Sequence, residues 1–181
     1  MQNKTEVAVF GSGCFWCTEA EFEQLKGVVS VVSGYAGGNV ANPTYEQVST
    51  GQTGHAEALK VEYNPSEISL EILLNVFFAT HDATTVNRQG NDIGPQYRSI
   101  ILCTTPGQKQ TAEKFIADLN AGDYKEAPVV TEVRELHEFF PAEEYHQQYY
   151  RNNPNQGYCQ FVIDPKVKKF RAKFAHLLKK I

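Results

Sequence analysis

Long apolar runs are missing from the start of this 181-residue sequence. The first apolar run covers only residues 7–10 and follows a polar stretch at residues 1–6. A membrane-spanning helix needs about 20 apolar residues, and the apolar part of an export signal needs about 7 to 15. We therefore expect no membrane partner and a cytoplasmic location.

An excess of positive charge is also missing. The chain carries 17 Lys and Arg against 21 Asp and Glu, which gives a formal net charge of −4. A phosphate backbone is bound by a basic surface, so we expect no nucleic acid partner. The sequence shows no repeat, no low-complexity tract and no long linker. Because single domains usually hold ~100 to 200 residues, the sequence predicts one domain over residues 1–181.

Four cysteines are present, and no export signal accompanies them: Cys14, Cys17, Cys103 and Cys159. Cytosolic reductants keep most thiols reduced, so a disulfide in this chain is expected to be catalytic and transient. Cys103 lies in an apolar stretch and is expected to be buried and inert.

The pattern of apolar residues predicts strands alternating with helices. Strands are predicted at residues 7–10, 28–32, 56–63, 99–104 and 129–133. Helices are predicted at residues 14–26, with Ser12 as a possible cap, at 69–80, at 105–119, and from Asp164 towards the end, with a polar loop at 81–96. This order favours an α+β fold with one mixed sheet covered by helices.

The strongest chemical signal is the segment from Gly11 to Cys17, where a glycine turn precedes two cysteines at the start of a predicted helix. The positive end of a helix stabilises a thiolate, so Cys14 is predicted to be a nucleophile near neutral pH. Trp16, the only tryptophan, lies beside Phe15 and suits an apolar substrate group. The alternative is that both cysteines only fill space.

A carboxyl group and a histidine are further candidates. Glu57 lies at the entry of an apolar strand, where burial would raise its pKa and allow it to act as a general acid. The simpler interpretation of Glu57 is a solvated charge at a strand edge. His146 is interpreted as structural, and Cys159 follows a flexible stretch that could bring a second thiol to the first.

Together these stretches resemble the A-type peptide methionine sulfoxide reductases, and the similarity spans Cys14 to Cys159. The matching segments occur in the family's order: Gly13-Cys14-Phe15-Trp16, Gly34-Tyr35-Ala36-Gly37-Gly38, Asn42-Pro43-Thr44-Tyr45, Thr53-Gly54-His55-Ala56-Glu57-Ala58, Gly90-Asn91-Asp92 with Gln96-Tyr97-Arg98-Ser99, and Tyr145-His146-Gln147. Each motif alone is weak, but six in the same order are hard to obtain by chance.

The resemblance implies a reaction and a fold. Cys14 would attack the sulfur of a methionine S-sulfoxide, free or in a protein, and become a sulfenic acid. Phe15 and Trp16 would hold the methyl group, and Glu57, Tyr45 and Tyr97 would contact the sulfoxide oxygen in a pocket ordered by Asp92. The family needs no cofactor or metal and repairs oxidised proteins. Its fold is a two-layer α+β sandwich with a mixed, ferredoxin-like sheet flanked by helices.

The resemblance does not determine which thiol returns Cys14 to its reduced state. A second thiol would close a disulfide that thioredoxin reduces. Cys159 matches the tail cysteine of relatives with one resolving residue and is slightly favoured, while Cys17, glycine in many relatives, is close in sequence. A basic helix stands where many relatives have a glycine-rich tail with another cysteine.

Three other functions are considered for this chain. One is a thioredoxin-like disulfide oxidoreductase using Cys14 and Cys17. Another is a structural zinc site that adds two ligands from Cys103, Cys159, His55 and His146. The third is an inactive relative that only binds oxidised peptides.

Overall fold

A computed structural model describes residues 4–180 of the chain. Its strands are β1 (Glu6–Ser12), β2 (Val28–Ala36), β3 (Ala56–Tyr63), β4 (Arg88–Gln89), β5 (Asp92–Ile93), β6 (Ser99–Cys103), β7 (Glu132–Glu135) and β8 (Phe139–Pro141). Its α-helices are α1 (Phe15–Phe22), α2 (Tyr45–Ser49), α3 (Leu70–Thr80), α4 (Pro106–Ala121), α5 (Tyr149–Asn152) and α6 (Asp164–Lys173). The structure also has 3₁₀ turns at Pro95–Tyr97, Glu144–His146 and Ala175–Leu177, and a π-helical turn at Cys159–Ile163.

Six strands form one sheet in the order β7-β6-β1-β3-β2-β8. Neighbouring strands are antiparallel except β6 and β7, which are parallel. β3 lies between β1 and β2, and its first residues pair with the end of β2, with Glu57 opposite Tyr35. The predicted mixed α+β sheet is confirmed, and this register brings the candidate acid to the end of the sheet where β1 leads into α1.

The main core lies between the sheet and three helices. Phe10 of β1 and Leu59 of β3 pack in the same buried cluster as Phe22 of α1, Phe77 of α3 and Phe170 of α6. Side chains alternate between the two faces of a strand. The opposite face has a smaller buried cluster, which includes three alanines: Val9, Ala36, Ala56, Ala58, Ile100 and Leu102.

Several boundaries differ from the sequence predictions. α1 ends at Phe22 instead of residue 26, before Gly27 adopts a φ of 89° that favours glycine. The predicted loop at 81–96 contains the short β4–β5 hairpin, and the strand predicted at 129–133 lies at Glu132–Glu135. The final helix stops at Lys173, since Phe174 leaves helical geometry and is buried in the core. No helix within residues 4–180 has the length and apolar character to span a membrane.

Candidate active site

Cys14 lies at the junction between the central strand β1 and helix α1. Gly13 makes the turn with a φ of 97°, and a side chain there would meet the Gln89 side chain at 2.7 Å. Cys14 itself is the N-cap of α1. Ser12 was a candidate cap, which is wrong, because its hydroxyl is hydrogen-bonded to the Thr18 hydroxyl at 2.7 Å instead.

A cavity of about 210 Å³ opens beside Cys14. Its lining comes from α1, α2, β3, β5, the 3₁₀ turn at Pro95–Tyr97 and the chain just before the π-helical turn. The lining residues are Cys14, Phe15, Trp16, Tyr45, Glu57, Asp92, Tyr97 and Tyr158. The structure therefore brings together the predicted nucleophile, acid and oxygen-contacting tyrosines, Asp92 and the two predicted substrate-binding aromatics. Tyr158 was not predicted.

Glu57 faces Cys14 across this cavity and is 4% exposed. Its Oε2 accepts a hydrogen bond from the Phe15 amide at 3.1 Å. Burial raises the pKa of Glu57 well above its ordinary value, and the charges of Cys14 and Asp92 raise it further. The raised pKa favours the protonated carboxyl group that a general acid needs, and the burial of Glu57 is inconsistent with a solvated strand-edge charge.

The thiols of Cys14 and Cys17 are coupled by a hydrogen bond. Burial, followed by this hydrogen bond and the charge on Cys17, raises the pKa of Cys14 well above its ordinary value. The hydrogen bond from Cys14 and the charge of Lys166 lower the pKa of Cys17. Burial therefore opposes the stabilisation that the helix end gives a Cys14 thiolate, and the role of Cys14 as the nucleophile stays a prediction.

Trp16 is held in place by two contacts from the second half of the chain. Its ring stacks on Tyr149, with centroids 3.7 Å apart and planes 7° apart. Its Nε1 donates a hydrogen bond to Nδ1 of His146 at 3.1 Å. His146 is fully buried, and burial lowers its pKa. The structural interpretation of His146 agrees with this geometry, and its contact shows that it orients a wall of the cavity.

Tyr158 closes the cavity from the side of the π-helical turn. Its hydroxyl donates a hydrogen bond to Oδ2 of Asp92 at 3.2 Å. The Tyr158 hydroxyl also acts to lower the pKa of the thiols of Cys14 and Cys17. Its position next to Cys159 is the one sequence signal that could have identified it.

The other two cysteines differ in location. Cys159 is fully buried in the same cluster as Cys14 and Cys17, and burial raises its pKa. Cys159 begins the π-helical turn, and the flexibility predicted for the stretch before it stays a prediction. Cys103 ends β6 in the main core, where burial raises its pKa to about 11. All four cysteines are free thiols.

The zinc interpretation finds no support in the geometry. Within residues 4–180, no group of three or more His, Cys, Asp and Glu side chains is arranged to hold a metal ion. His55, one proposed ligand, accepts a hydrogen bond from the Gly38 amide and is hydrogen-bonded to the Val40 carbonyl. Both of its ring nitrogens are therefore engaged in hydrogen bonds to the backbone of the loop that follows β2.

An α+β fold with coupled thiols facing a buried acid defines a thiol-based redox enzyme, and comparison with known proteins agrees. The family model for peptide methionine sulfoxide reductase matches residues 6–178. The peptide methionine sulfoxide reductase MsrA of Ralstonia nicotianae is 55% identical over 177 residues, which cover 96% of this chain and 93% of that protein.

Two solved structures extend the comparison. Methionine sulfoxide reductase A of Corynebacterium diphtheriae matches with a TM-score of 0.81 at 35% identity, covering 86% of this chain and 78% of that chain. Mxr1 of Saccharomyces cerevisiae in complex with Trx2 matches with a TM-score of 0.57 at 25% identity, covering 82% of this chain and 87% of that chain. The chain therefore belongs to the peptide methionine sulfoxide reductase family, and its reaction is the reduction of methionine sulfoxide to methionine.

Proposed function

We propose that the cavity beside Cys14 reduces the S epimer of methionine sulfoxide, with thioredoxin as the final reductant. The observation that carries this proposal is the buried Glu57 carboxyl group, which faces Cys14 within the same small cavity. A protonated acid and a thiol are the two groups that oxygen transfer from a sulfoxide requires. The substrate is a methionine sulfoxide residue in a protein or the free amino acid.

In the first step the sulfur of Cys14 attacks the sulfoxide sulfur. The thiol proton of Cys14 passes to Cys17, with which it shares a hydrogen bond, and Glu57 gives its proton to the sulfoxide oxygen. The oxygen then moves to Cys14, which becomes a sulfenic acid as methionine leaves. Two electrons pass from the Cys14 sulfur to the sulfoxide.

The polar residues of the cavity hold the oxygen during this transfer. Burial raises the pKa of Tyr45 and Tyr97, so both hydroxyls keep their protons and can donate hydrogen bonds. We assign them to the sulfoxide oxygen, where they stabilise the charge that develops on it. Asp92 accepts the hydrogen bond of Tyr158 and thereby orders the rim of the cavity.

The aromatic side chains of the cavity hold the methyl group of the substrate. Phe15 is almost fully buried, and Trp16 is fixed by its stack on Tyr149. Such surfaces favour an apolar group over water, so the sulfoxide is oriented with its oxygen towards Glu57.

A second thiol converts the sulfenic acid of Cys14 into a disulfide and releases water. A dithiol reductant then restores both thiols and becomes a disulfide itself. Mxr1, a structural relative, is known in complex with Trx2, and this supports thioredoxin as the reductant here. In the cell we assign the enzyme to the cytoplasm and to the repair of oxidised proteins.

The finer description of the fold is also a proposal. We infer that residues 1–181 form one catalytic domain, a two-layer sandwich with a ferredoxin-like sheet. The central strands follow the order β6-β1-β3-β2 with antiparallel neighbours, which supports this description.

The test is one turnover of racemic methionine sulfoxide by the reduced enzyme, without any recycling reductant. The expected result is loss of the S epimer alone, with two thiols lost for each methionine formed. Cys14→Ser is expected to form none, whereas Cys103→Ser, whose sulfur lies in the main core, serves as the matched control. Ready reduction of a disulfide substrate without sulfoxide loss would instead favour a disulfide oxidoreductase, which gives Glu57, Tyr45 and Tyr97 no task.

A further inference from the structure

Lys166 is a charged residue that contacts one of the reactive sulfurs. It lies in the first turn of α6, and its Nζ is 3.9 Å from Sγ of Cys17. Cys17 is only 5% exposed, so little water screens this contact. Within residues 4–180, Lys166 forms no ion pair with a carboxylate. Its charge is therefore available to the sulfur.

Among the groups of residues 4–180 that act on the pKa of Cys17, Lys166 is the one cation. These groups are Cys14, Lys166, Glu21 and Tyr158. Burial raises the pKa of Glu21 to about 8, so this carboxyl group is neutral near pH 7 and does not cancel the lysine charge. Cys14 donates a hydrogen bond to the Cys17 sulfur, and Tyr158 also lowers the pKa of Cys17. Neither Cys14 nor Tyr158 nor the neutral Glu21 therefore opposes a thiolate at Cys17.

Cys159, the other candidate for disulfide formation, has the opposite surroundings. It is fully buried, and burial, Asp164 and Cys14 all raise its pKa. It begins a π-helical turn that continues directly into α6, so its sulfur is fixed by helical backbone on its C-terminal side. A thiol without a cation is a poor source of thiolate.

We propose that Lys166 holds Cys17 as the thiolate that attacks the sulfenic acid of Cys14, which makes Cys17 the resolving residue. This inference rests on the proposed function, because it requires a sulfenic acid at Cys14. In the step, the proton that Cys17 received from Cys14 is lost again, a bond forms between the two sulfurs, and the bond from the Cys14 sulfur to oxygen breaks. The departing hydroxide takes up the proton and leaves as water.

Removal of the lysine charge has a characteristic effect on the pH dependence of this step. A charge within about 4 to 6 Å shifts a pKa by about one unit or more, so Lys166→Met raises the pKa of Cys17 by at least about one unit. The thiolate fraction at low pH then falls about tenfold, but each thiolate becomes about threefold more nucleophilic. Disulfide formation is expected to be about threefold slower at low pH and about threefold faster at high pH.

The experiment follows one turnover with free methionine S-sulfoxide, using acid quench and rapid alkylation. Peptide mapping identifies the disulfide, and the rates of methionine formation and thiol loss are measured across the pH range. The expected disulfide joins Cys14 to Cys17. The plots of disulfide-formation rate against pH for Lys166→Met and for the parent enzyme are expected to intersect. Lys166→Arg is expected to keep the parental plot. Lys169→Met is the matched control, because Lys169 lies on the same helix and lines, with Lys166 and Glu21, a second cavity separate from the one beside Cys14.

Two results overturn the inference and leave the proposed function intact. One is methionine formation accompanied by a disulfide between Cys14 and Cys159. The other is a Cys14–Cys17 disulfide that forms in Lys166→Met with an unchanged pH profile. Absence of methionine in the first turnover of the parent enzyme would instead refute the proposed function itself.

Discussion

Glu21 should make the stability of this protein fall as the pH rises. The side chain lies on α1, is 3% exposed, and has a pKa raised by burial from an ordinary 4.5 to about 8. A group whose pKa is raised in the folded state contributes its full stability below the unfolded value of 4.5. That contribution is lost as the pH rises through about 8.

The size of the effect follows from the pKa difference. The interval between 4.5 and about 8 is about 3.5 pH units. Each unit corresponds to about 1.36 kcal/mol, so ionisation of Glu21 removes up to about 5 kcal/mol from the free energy of unfolding. Glu21→Gln keeps the shape of the side chain and has no charge to bury. It should therefore gain up to about 5 kcal/mol relative to the parent between the two pH values.

Urea unfolding followed by far-UV circular dichroism measures this difference. The parent and Glu21→Gln are compared near pH 4.5 and above pH 8, the two ends of the interval. Glu71→Gln on the exposed side of α3 is the matched control, and its difference from the parent should stay the same at both pH values. Equal pH slopes for the parent and Glu21→Gln would refute the assignment of Glu21 as a neutral buried acid.

Three further substitutions test the cavity. Glu57→Gln should lower kcat for sulfoxide reduction about 10²- to 10⁴-fold and abolish the loss of activity at high pH, since the acid of raised pKa is gone; a parental pH profile would contradict this role. Tyr149→Ala should raise KM more than it lowers kcat, because Trp16 loses its stacking partner; an unchanged KM in steady-state assays would rule this out. Gly13→Ala should cost about 1–3 kcal/mol of stability in urea unfolding, because of its positive φ and the close Gln89 side chain. Gly107→Ala should cost less, because its added Cβ would meet only the Thr105 side chain, at 3.9 Å.

The parts of the fold that depend on residues close together in the sequence were predictable from the sequence. The alternation of Ala56–Tyr63 and the helical spacing of Leu73 and Phe77 are local patterns, and the structure confirms both elements. Short elements were harder, because β8 is three residues long and exists through its pairing with β2, far away in sequence. Local patterns carry no information on such partners.

The cavity was predictable where the family motifs name its residues. Tyr158 and Lys166 were missed because their contacts join distant positions, 66 residues apart for Tyr158 and Asp92 and 149 apart for Lys166 and Cys17. The effect of burial on the pKa of Cys14 was missed for a related reason. Its position at a helix start is visible in the sequence, whereas its burial depends on the folded surroundings.

The stacked Trp16 gives this protein a built-in optical probe. Because it is the only tryptophan in the chain, all indole fluorescence comes from one wall of the cavity. Its ring lies on Tyr149 and next to Tyr158, and its N–H is bonded to His146. The emission spectrum therefore records substrate entry and thiol oxidation without any label, and an unfolding curve measured by fluorescence would describe this wall rather than the whole sheet.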